Sequence, residues 1–284
     1  MVDTGLFSGK GKRGPRQPAT AGLGRLRTGL AALTAAAVIL MSPLPGARAD
    51  TPKRFVSINL CTDQLLMALA DPEQISALSS VATDRTLSFM AETAAGFRHD
   101  AATAEQVIEL DPDVVLAGRY TRRATRDLLV RLGYEVVLFD TARSIADSEA
   151  QIRQMAALTG HTERGEALIT EIAAARSEIA ALPAGERLSA AVYQRRGYVT
   201  GAQTLTNELL SAAGFDHRGG DLAGPRGGFV DLEELIADPP DVLVVASVTP
   251  AAEDQGSALL AHPALARQFP PSQRVVLPER LTVC

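Results

Sequence analysis

The groups able to do chemistry stand where apolar segments give way to loops. Asn59 and Cys61 follow the run Arg54-Phe-Val-Ser-Ile, Asp84 lies in a loop-rich passage from Ser79 to Gly96, and Arg119 and Tyr120 follow Val114–Ala117. Further on come Tyr193, Arg195, Arg196 and Tyr198 around a polar loop, and Phe229 beside a glycine-rich stretch. Guanidinium groups recognise carboxylates through paired N–H donors, and aromatic rings offer apolar faces for stacking. The chain has no Trp, so four Tyr and eight Phe supply any such surface. Arg195-Arg196 followed by Tyr198 suits an anionic, carboxylate-bearing ligand with an apolar body. The same pair also reads as two solvated arginines on a surface loop. The chemistry expected of these residues is recognition in a cleft.

Catalytic patterns are missing. There is no Gly-x-Ser-x-Gly elbow, no glycine-rich phosphate loop behind a strand and no His-Glu-x-x-His. Gly9-Lys-Gly-Lys-Arg-Gly14 matches a dinucleotide fingerprint by letter only, since no strand precedes it. His99, His161, His217 and His262 share no ligand spacing and read as solvent-facing, and Ser57 sits inside an apolar strand. No catalytic residue, resident metal or cofactor is expected.

The elements that must position these groups alternate. Short apolar strands near Arg54–Asn59, Gln74–Leu78, Val114–Ala117 and Glu135–Phe139 are separated by helices, the first capped by Thr62. Continuous rather than alternating apolar strands indicate a parallel sheet covered on both faces. Ser144-x-x-Asp147 opens a helix, and Thr162–Leu182 follows as a long one of roughly 30 Å. Ala167, Leu168, Ile172, Ala175 and Ile179 recur along it at helical spacing, predicting one apolar face. The plan then repeats, with strands near Leu188–Tyr193, Val242–Ala246 and Arg274–Leu277; Gln194–Gly201 and the five-glycine stretch His217–Gly228 read as loops. Glu105-Gln-Val-Ile-Glu-Leu-Asp-Pro-Asp-Val-Val-Leu is echoed by Glu233-Glu-Leu-Ile-Ala-Asp-Pro-Pro-Asp-Val-Leu-Val. The expected fold is α/β, with two Rossmann-like lobes of parallel sheet bridged by a single long α-helix and loops facing a shared crevice. The expected boundaries are 50–143 for the first lobe, 144–182 for the linking helices (the bridge at about 162–182) and 183–284 for the second lobe.

Residues 1–49 read as a secretory signal peptide: a basic region, the apolar run Gly29–Met41, and Ala47-Arg48-Ala49 before the cut. This segment holds seven of the 28 basic and one of the 33 acidic residues, leaving 21 against 32 and a mature charge near −11. So acidic a chain is not expected to bind nucleic acid. Cys61 and Cys284 are the only cysteines. Cys61 is open to three readings: a buried apolar group, a cleft-lining group, or a partner for Cys284.

RFVSINLCTDQLLMAL, TAEQVIELDPDVVLAG, the helix TERGEALITEIAAARSEIAAL, YVTGAQTLTNELLSAAG and GGFVDLEELIADPPDVLVV lie in this order across residues 54–245. In order and spacing they resemble the periplasmic substrate-binding proteins of the vitamin B12 and ferric-siderophore class of ABC importers. The resemblance implies a periplasmic monomer that captures a metal chelate between its lobes and delivers it to an ABC permease dimer with its ATPase. Iron or cobalt would arrive only inside the ligand. Glu105 and Glu233 occupy the positions at which such proteins dock on permease arginines, with Glu234 adjacent to the second. Cobalamin-binding relatives often carry Trp where this chain has Gly118-Arg119-Tyr120 and Gly227-Gly228-Phe229, so ferric siderophore, corrinoid and haem all remain open. Family members continue past the last strand into a further helix, so the second lobe is expected to lack its final helix. A receptor- or sensor-linked binding protein of the same fold is the alternative; a secreted α/β enzyme would need a catalytic pair that the sequence does not offer.

Overall fold

A computed structural model of the chain describes residues 52–183, 185–246 and 259–284. The segment read as a signal peptide lies outside the described residues. The first lobe runs β1 (Phe55–Ser57), α1 (Leu60–Leu69), β2 (Ile75–Ala77), α2 (Ala91–Ala94), α3 (Ala104–Leu110), β3 (Val114–Gly118), α4 (Arg123–Arg131) and β4 (Glu135–Phe139). Its four strands are all parallel, in the order β2-β1-β3-β4. Alternate residues along these strands serve different cores. Phe55, Val114 and Leu116 pack with Leu66, Leu69 and Met155 on one face, while Val56, Val115 and Ala117 pack with Val107 and Leu129 on the other. Helices therefore cover both faces, which is why the strands read as unbroken apolar runs.

Two long helices connect the lobes: α5 (Ile145–Thr159) and α6 (Thr162–Ala180). Gly160, at φ 82°, ends α5 in the left-handed region. The two helices pack so closely that a Cβ on Gly165 would lie 2.6 Å from that of Ala156. Arg164 donates to the carbonyls of Leu69 and Ala70, both at 2.9 Å, tying α6 to the orphan carbonyls at the end of α1. The expected apolar face of α6 is confined to its first half. Ile169 is buried and Leu168 and Ile172 pack on the first core, whereas Ala175 and Ile179 are exposed, because the helix runs clear of that core beyond Ile172; Ala167 is exposed as well, off the packed face.

The second lobe runs β5 (Ser189–Tyr193), β6 (Tyr198–Val199), α7 (Leu205–Ala212), β7 (Asp216–His217), α8 (Gly219–Ala223), β8 (Gly228–Phe229), α9 (Leu232–Ala237), β9 (Val242–Ala246), α10 (Pro263–Gln268) and β10 (Arg274–Leu277). Its sheet has the order β10-β9-β5-β6-β8, with β7 beside β5. β10, β9, β5 and β7 pair in parallel, whereas β5-β6 and β6-β8 are antiparallel. The segment expected as a loop from Gln194 is thus a hairpin. Arg196 (φ 60°) and Gly197 (φ 79°) make its tight turn in the left-handed region. A Cβ on Gly197 would stand 2.7 Å from the Val230 carbonyl oxygen. The glycine-rich stretch from His217 likewise carries α8 and the start of β8 rather than a plain loop.

The internal echo extends to hydrogen bonding. Asp113, ahead of β3, accepts the backbone N–H of Arg54 at 2.7 Å, immediately before β1. Asp241, ahead of β9, accepts the N–H of Ser189 at 2.8 Å, at the start of β5. In both lobes the carboxylate extends the ladder one step beyond the strand pair.

Candidate functional site

The carboxyl ends of β1, β3 and β4 and one face of the second sheet open onto a cavity of about 680 Å³, within the usual range for small-molecule sites. Ligands of open α/β sheets bind at such strand ends. From the first lobe, the cavity meets Asn59, Leu60, Cys61 and Leu65 at the start of α1, then Gly118, Arg119 and Tyr120 behind β3, and Phe139 and Asp140 behind β4. From the second, Val192 and Val244, paired in register, present one sheet face, and α7 adds Thr204, Leu205, Leu209 and Leu210. Leu277 and the segment Leu281–Cys284 close a further side.

Asn59 has a local duty. Its side-chain oxygen accepts the N–H groups of Cys61 (3.1 Å) and Thr62 (3.4 Å), so Asn59, not Thr62, caps α1. Thr62 is instead buried and bonded to Ser57 Oγ at 2.8 Å. Gly118 leaves room for this cap, since a Cβ there would stand 2.7 Å from the Asn59 amide carbon.

Arg119 and Asp140 are the only charged side chains in the described lining, and they pair at 2.8 Å while remaining more than half exposed. The Thr141 N–H, with Arg119, holds the Asp140 carboxyl below its ordinary value. Tyr120 is 84% exposed and free to meet a ligand. Behind the wall, lining residue Thr200 contacts His217 Nε2 at 3.3 Å, and burial pushes that imidazole down, towards the neutral form. His217 and His161 are therefore not solvent-facing as expected; His161 bonds Asp71 and Gln74, both at 3.1 Å.

The expected site residues divide sharply. Asn59, Cys61, Arg119 and Tyr120 share the cavity wall. Asp84, Tyr193, Arg195, Arg196, Tyr198 and Phe229 are not among its lining residues. Asp84 accepts the N–H and hydroxyl of Thr86 in a turn, and that hydroxyl bond, above all, lowers its pKa. Tyr193 is wholly buried in the second core, where burial raises its phenol. Tyr198 and Phe229 stack edge to face at 5.6 Å across β6 and β8, with the Arg196 guanidinium 6.0 Å from the Phe229 ring centre. Glu105 and Glu233 hold matching exposed places, each second in a short helix, α3 or α9.

Sequence reasoning missed the α7 wall, Phe139, Asp140, Leu277, Leu281, Thr282 and Val283. The leucines of α7 recur at helical spacing, but that signal does not distinguish a protein core from a cavity. Cys61 and Cys284 form a disulfide, so Cys61 is at once paired and cleft-lining. Among the described residues, no group of three or more His, Cys, Asp or Glu side chains is arranged to hold a metal.

Comparisons with known proteins agree with this architecture. A cobalamin-binding protein of Halobacterium salinarum is 26% identical over 221 residues, covering 76% of this chain and 60% of that protein's length. The chain thus spans 60% of the relative it matches. The solved structure of the periplasmic heme-binding protein RhuT from Roseiflexus sp. RS-1 is similar at 24% identity, covering 81% of this chain and 90% of the other, with a TM-score of 0.63. The periplasmic vitamin B12 binding protein BtuF of Vibrio cholerae is similar at 15% identity, over 80% of this chain and 88% of the other, with a TM-score of 0.57. These two likenesses concern the fold. A family model described as periplasmic binding protein matches residues 56–270, three-quarters of the chain, reaching into both sheets and ending before β10. The chain belongs to the periplasmic binding protein family.

Proposed function

We propose that this protein captures a metal chelate in the cavity between its lobes and delivers it to an ABC importer. The observation that carries the reading is the cavity itself: about 680 Å³ between the strand ends of the first sheet and one face of the second, lined by leucine, valine and threonine with a single ion pair. An apolar body with few acidic substituents suits such walls, with Arg119 for a carboxylate and Tyr120 for a ring face. Relatives named for cobalamin and heme support a tetrapyrrole, haem or corrinoid, as cargo; a ferric siderophore is the other member of the class. The metal would travel inside the chelate.

Family membership supports a periplasmic location, and the basic, apolar and small-residue parts of residues 1–49 support export through a signal cut after Ala49. The proposed lobes are 50–143 and 183–284, joined by 144–182. Glu105 and Glu233, one on each lobe, are proposed to meet permease arginines, a complementarity that steers docking.

The test is titration of the chain from Asp50 with haemin, cyanocobalamin and a panel of ferric siderophores, followed by absorbance and calorimetry. Submicromolar binding of one chelate is expected, together with loss of importer-dependent uptake, at unchanged affinity, when Glu105 and Glu233 are both replaced by Ala. A folded protein that binds none of these chelates overturns the cargo assignment; normal uptake by the double variant overturns the docking assignment.

A further inference from the structure

The residues after β10 form a strap fixed at both ends. At one end Leu277 is held in the ladder opposite Ala246, at the edge of the second sheet. At the other, Cys284 is bonded to Cys61, the second residue of α1 in the first lobe, with Cα atoms 5.3 Å apart. Between them Pro278 leads into a single turn, Glu279–Leu281, closed by the Thr282 hydroxyl on the Glu279 carbonyl at 3.0 Å. The strap crosses from one lobe to the other along the cavity, and Leu281, Thr282, Val283 and Cys284 line it. Leu281 is 50% and Val283 41% exposed. Two half-exposed apolar side chains of a covalently anchored segment thus line the cavity.

We propose that this strap is a wall of the ligand site and a determinant of its specificity: Leu281 and Val283 contact the bound chelate, and the Cys61–Cys284 bond holds them in place beforehand. The proposal rests on the reading of the cavity as a chelate site. Its physical basis is preorganisation. A wall segment already ordered in the free protein loses little conformational freedom on binding, whereas a loose one must be ordered by the ligand. The bond also links the lobes directly across the site, at the N-terminal turn of the helix that carries Asn59, Leu60 and Leu65 to the cavity. Loss of a preorganised wall acts mainly on dissociation.

Two sets of variants test this in the chain from Asp50, produced with the disulfide formed. The Cys61→Ser/Cys284→Ser pair removes the bond without leaving a lone thiol; Leu281→Asp and Val283→Asp keep the bond and spoil the apolar wall. Each should bind the chelate that the wild-type protein selects roughly ten- to a hundredfold more weakly, chiefly through faster dissociation. Wild-type affinity and dissociation in both sets would overturn the proposal. If the paired serine variant does not fold, the two aspartate variants decide alone. Amide hydrogen exchange of the ligand-free protein gives a second readout. The amides of Leu281, Thr282 and Val283, bonded to the Pro278 and Glu279 carbonyls, should be protected in the wild-type protein and exchange at nearly free-peptide rates without the bond; equal protection in both would sink the anchoring role. If the wild-type protein binds none of the chelates, the cargo reading fails on that result, while hydrogen exchange still decides whether the bond orders the wall.

Discussion

The two sheets follow one plan and differ in what they leave open. In the first lobe both faces are sealed: Phe55, Val114 and Leu116 face α1 and α5, and Val56, Val115 and Ala117 face α3 and α4. Only the strand ends reach the cavity, through Asn59, Gly118 and Phe139. In the second lobe Tyr193, Leu243 and Val245 point into a core under α9 and α10, while the alternate residues Val192 and Val244 line the cavity. The helix that stands over this open face, α7, contains no buried residue, and its Leu209 is half exposed. One lobe therefore acts as a closed platform presenting chain ends. The other supplies two sheet valines, themselves buried, and the half-exposed Leu209 of α7 to the cavity wall.

This contrast predicts that leucines in the two places do different work. Leu116→Ala, in the sealed sheet, should cost about 3 kcal/mol and lower Tm by about 10 °C. Affinity should change little. Leu209→Ala should cost less than about 1 kcal/mol, as expected for a half-exposed side chain, yet weaken chelate binding roughly tenfold. Thermal melts and titrations of both variants check this. If Leu209→Ala proves as destabilising as Leu116→Ala, α7 belongs to a core and the contrast fails.

The sealed lobe also encloses a carboxyl with no counterpart among the described residues of the other. Asp63, on α1, is fully buried and accepts the Ser79 N–H at 3.0 Å and the Ser79 hydroxyl. Burial raises its pKa to about 6, in spite of the hydrogen bonds that favour the carboxylate. A carboxyl whose folded pKa exceeds its unfolded value of 3.8 takes up a proton on folding between those limits. Its contribution is therefore fully present below pH 3.8 and is lost as pH rises through about 6. The loss amounts to about 3 kcal/mol. Carboxyls with depressed values, such as Asp71 and Asp140, act in the opposite sense and at lower pH. Denaturant unfolding at pH 4, 5, 6 and 7 should show a stability difference between the wild-type protein and Asp63→Asn that changes steadily over this window. A difference independent of pH would mean that Asp63 is not titrating in the fold.

Much of this architecture was legible in the sequence, because burial on both faces leaves unbroken apolar strands, and because the helix–proline–aspartate–strand motif occurs twice. The site was legible on one side only. Asn59, Arg119 and Tyr120 directly follow sealed strands, where a parallel sheet must present its loops to the crevice. Tyr193 follows the same rule by position, but it alternates with Val192, so it falls on the core face. The hairpin was hidden because Arg196 adopts a conformation that a non-glycine residue rarely takes. The leucines of α7 were missed for a physical reason: a helix facing a ligand carries the same spacing as one facing a core. The disulfide joins residues 223 positions apart, and only the folded arrangement of both lobes brings them together.

The smallest expected effect concerns the feature that the lobes share. The Asp113 carboxylate accepts one hydrogen bond ahead of β1, from the Arg54 N–H, and lies 3.9 Å from the Arg54 guanidinium, while its own N–H donates to the Arg54 carbonyl at 3.0 Å. Asp241 makes two at the start of β5, accepting the Ser189 N–H and its hydroxyl (2.7 Å), and its own N–H returns a bond to that hydroxyl at 2.9 Å. Ser189 has no equivalent in the first lobe, where Arg54 bonds back to the Asp111 carbonyl instead. Asp241→Ala should therefore lower Tm by more than Asp113→Ala, with neither change altering the cavity. The Ser189 hydroxyl, followed by its N–H, holds the Asp241 carboxyl below 3.8. The stability this confers is present above that value and disappears as pH falls through the lower folded value. Melts compared at pH 7 and pH 3 should show the Asp241→Ala deficit shrinking in acid. A deficit that persists unchanged would assign the effect to packing at the start of β5, and the likeness between the two lobes would then end at the backbone.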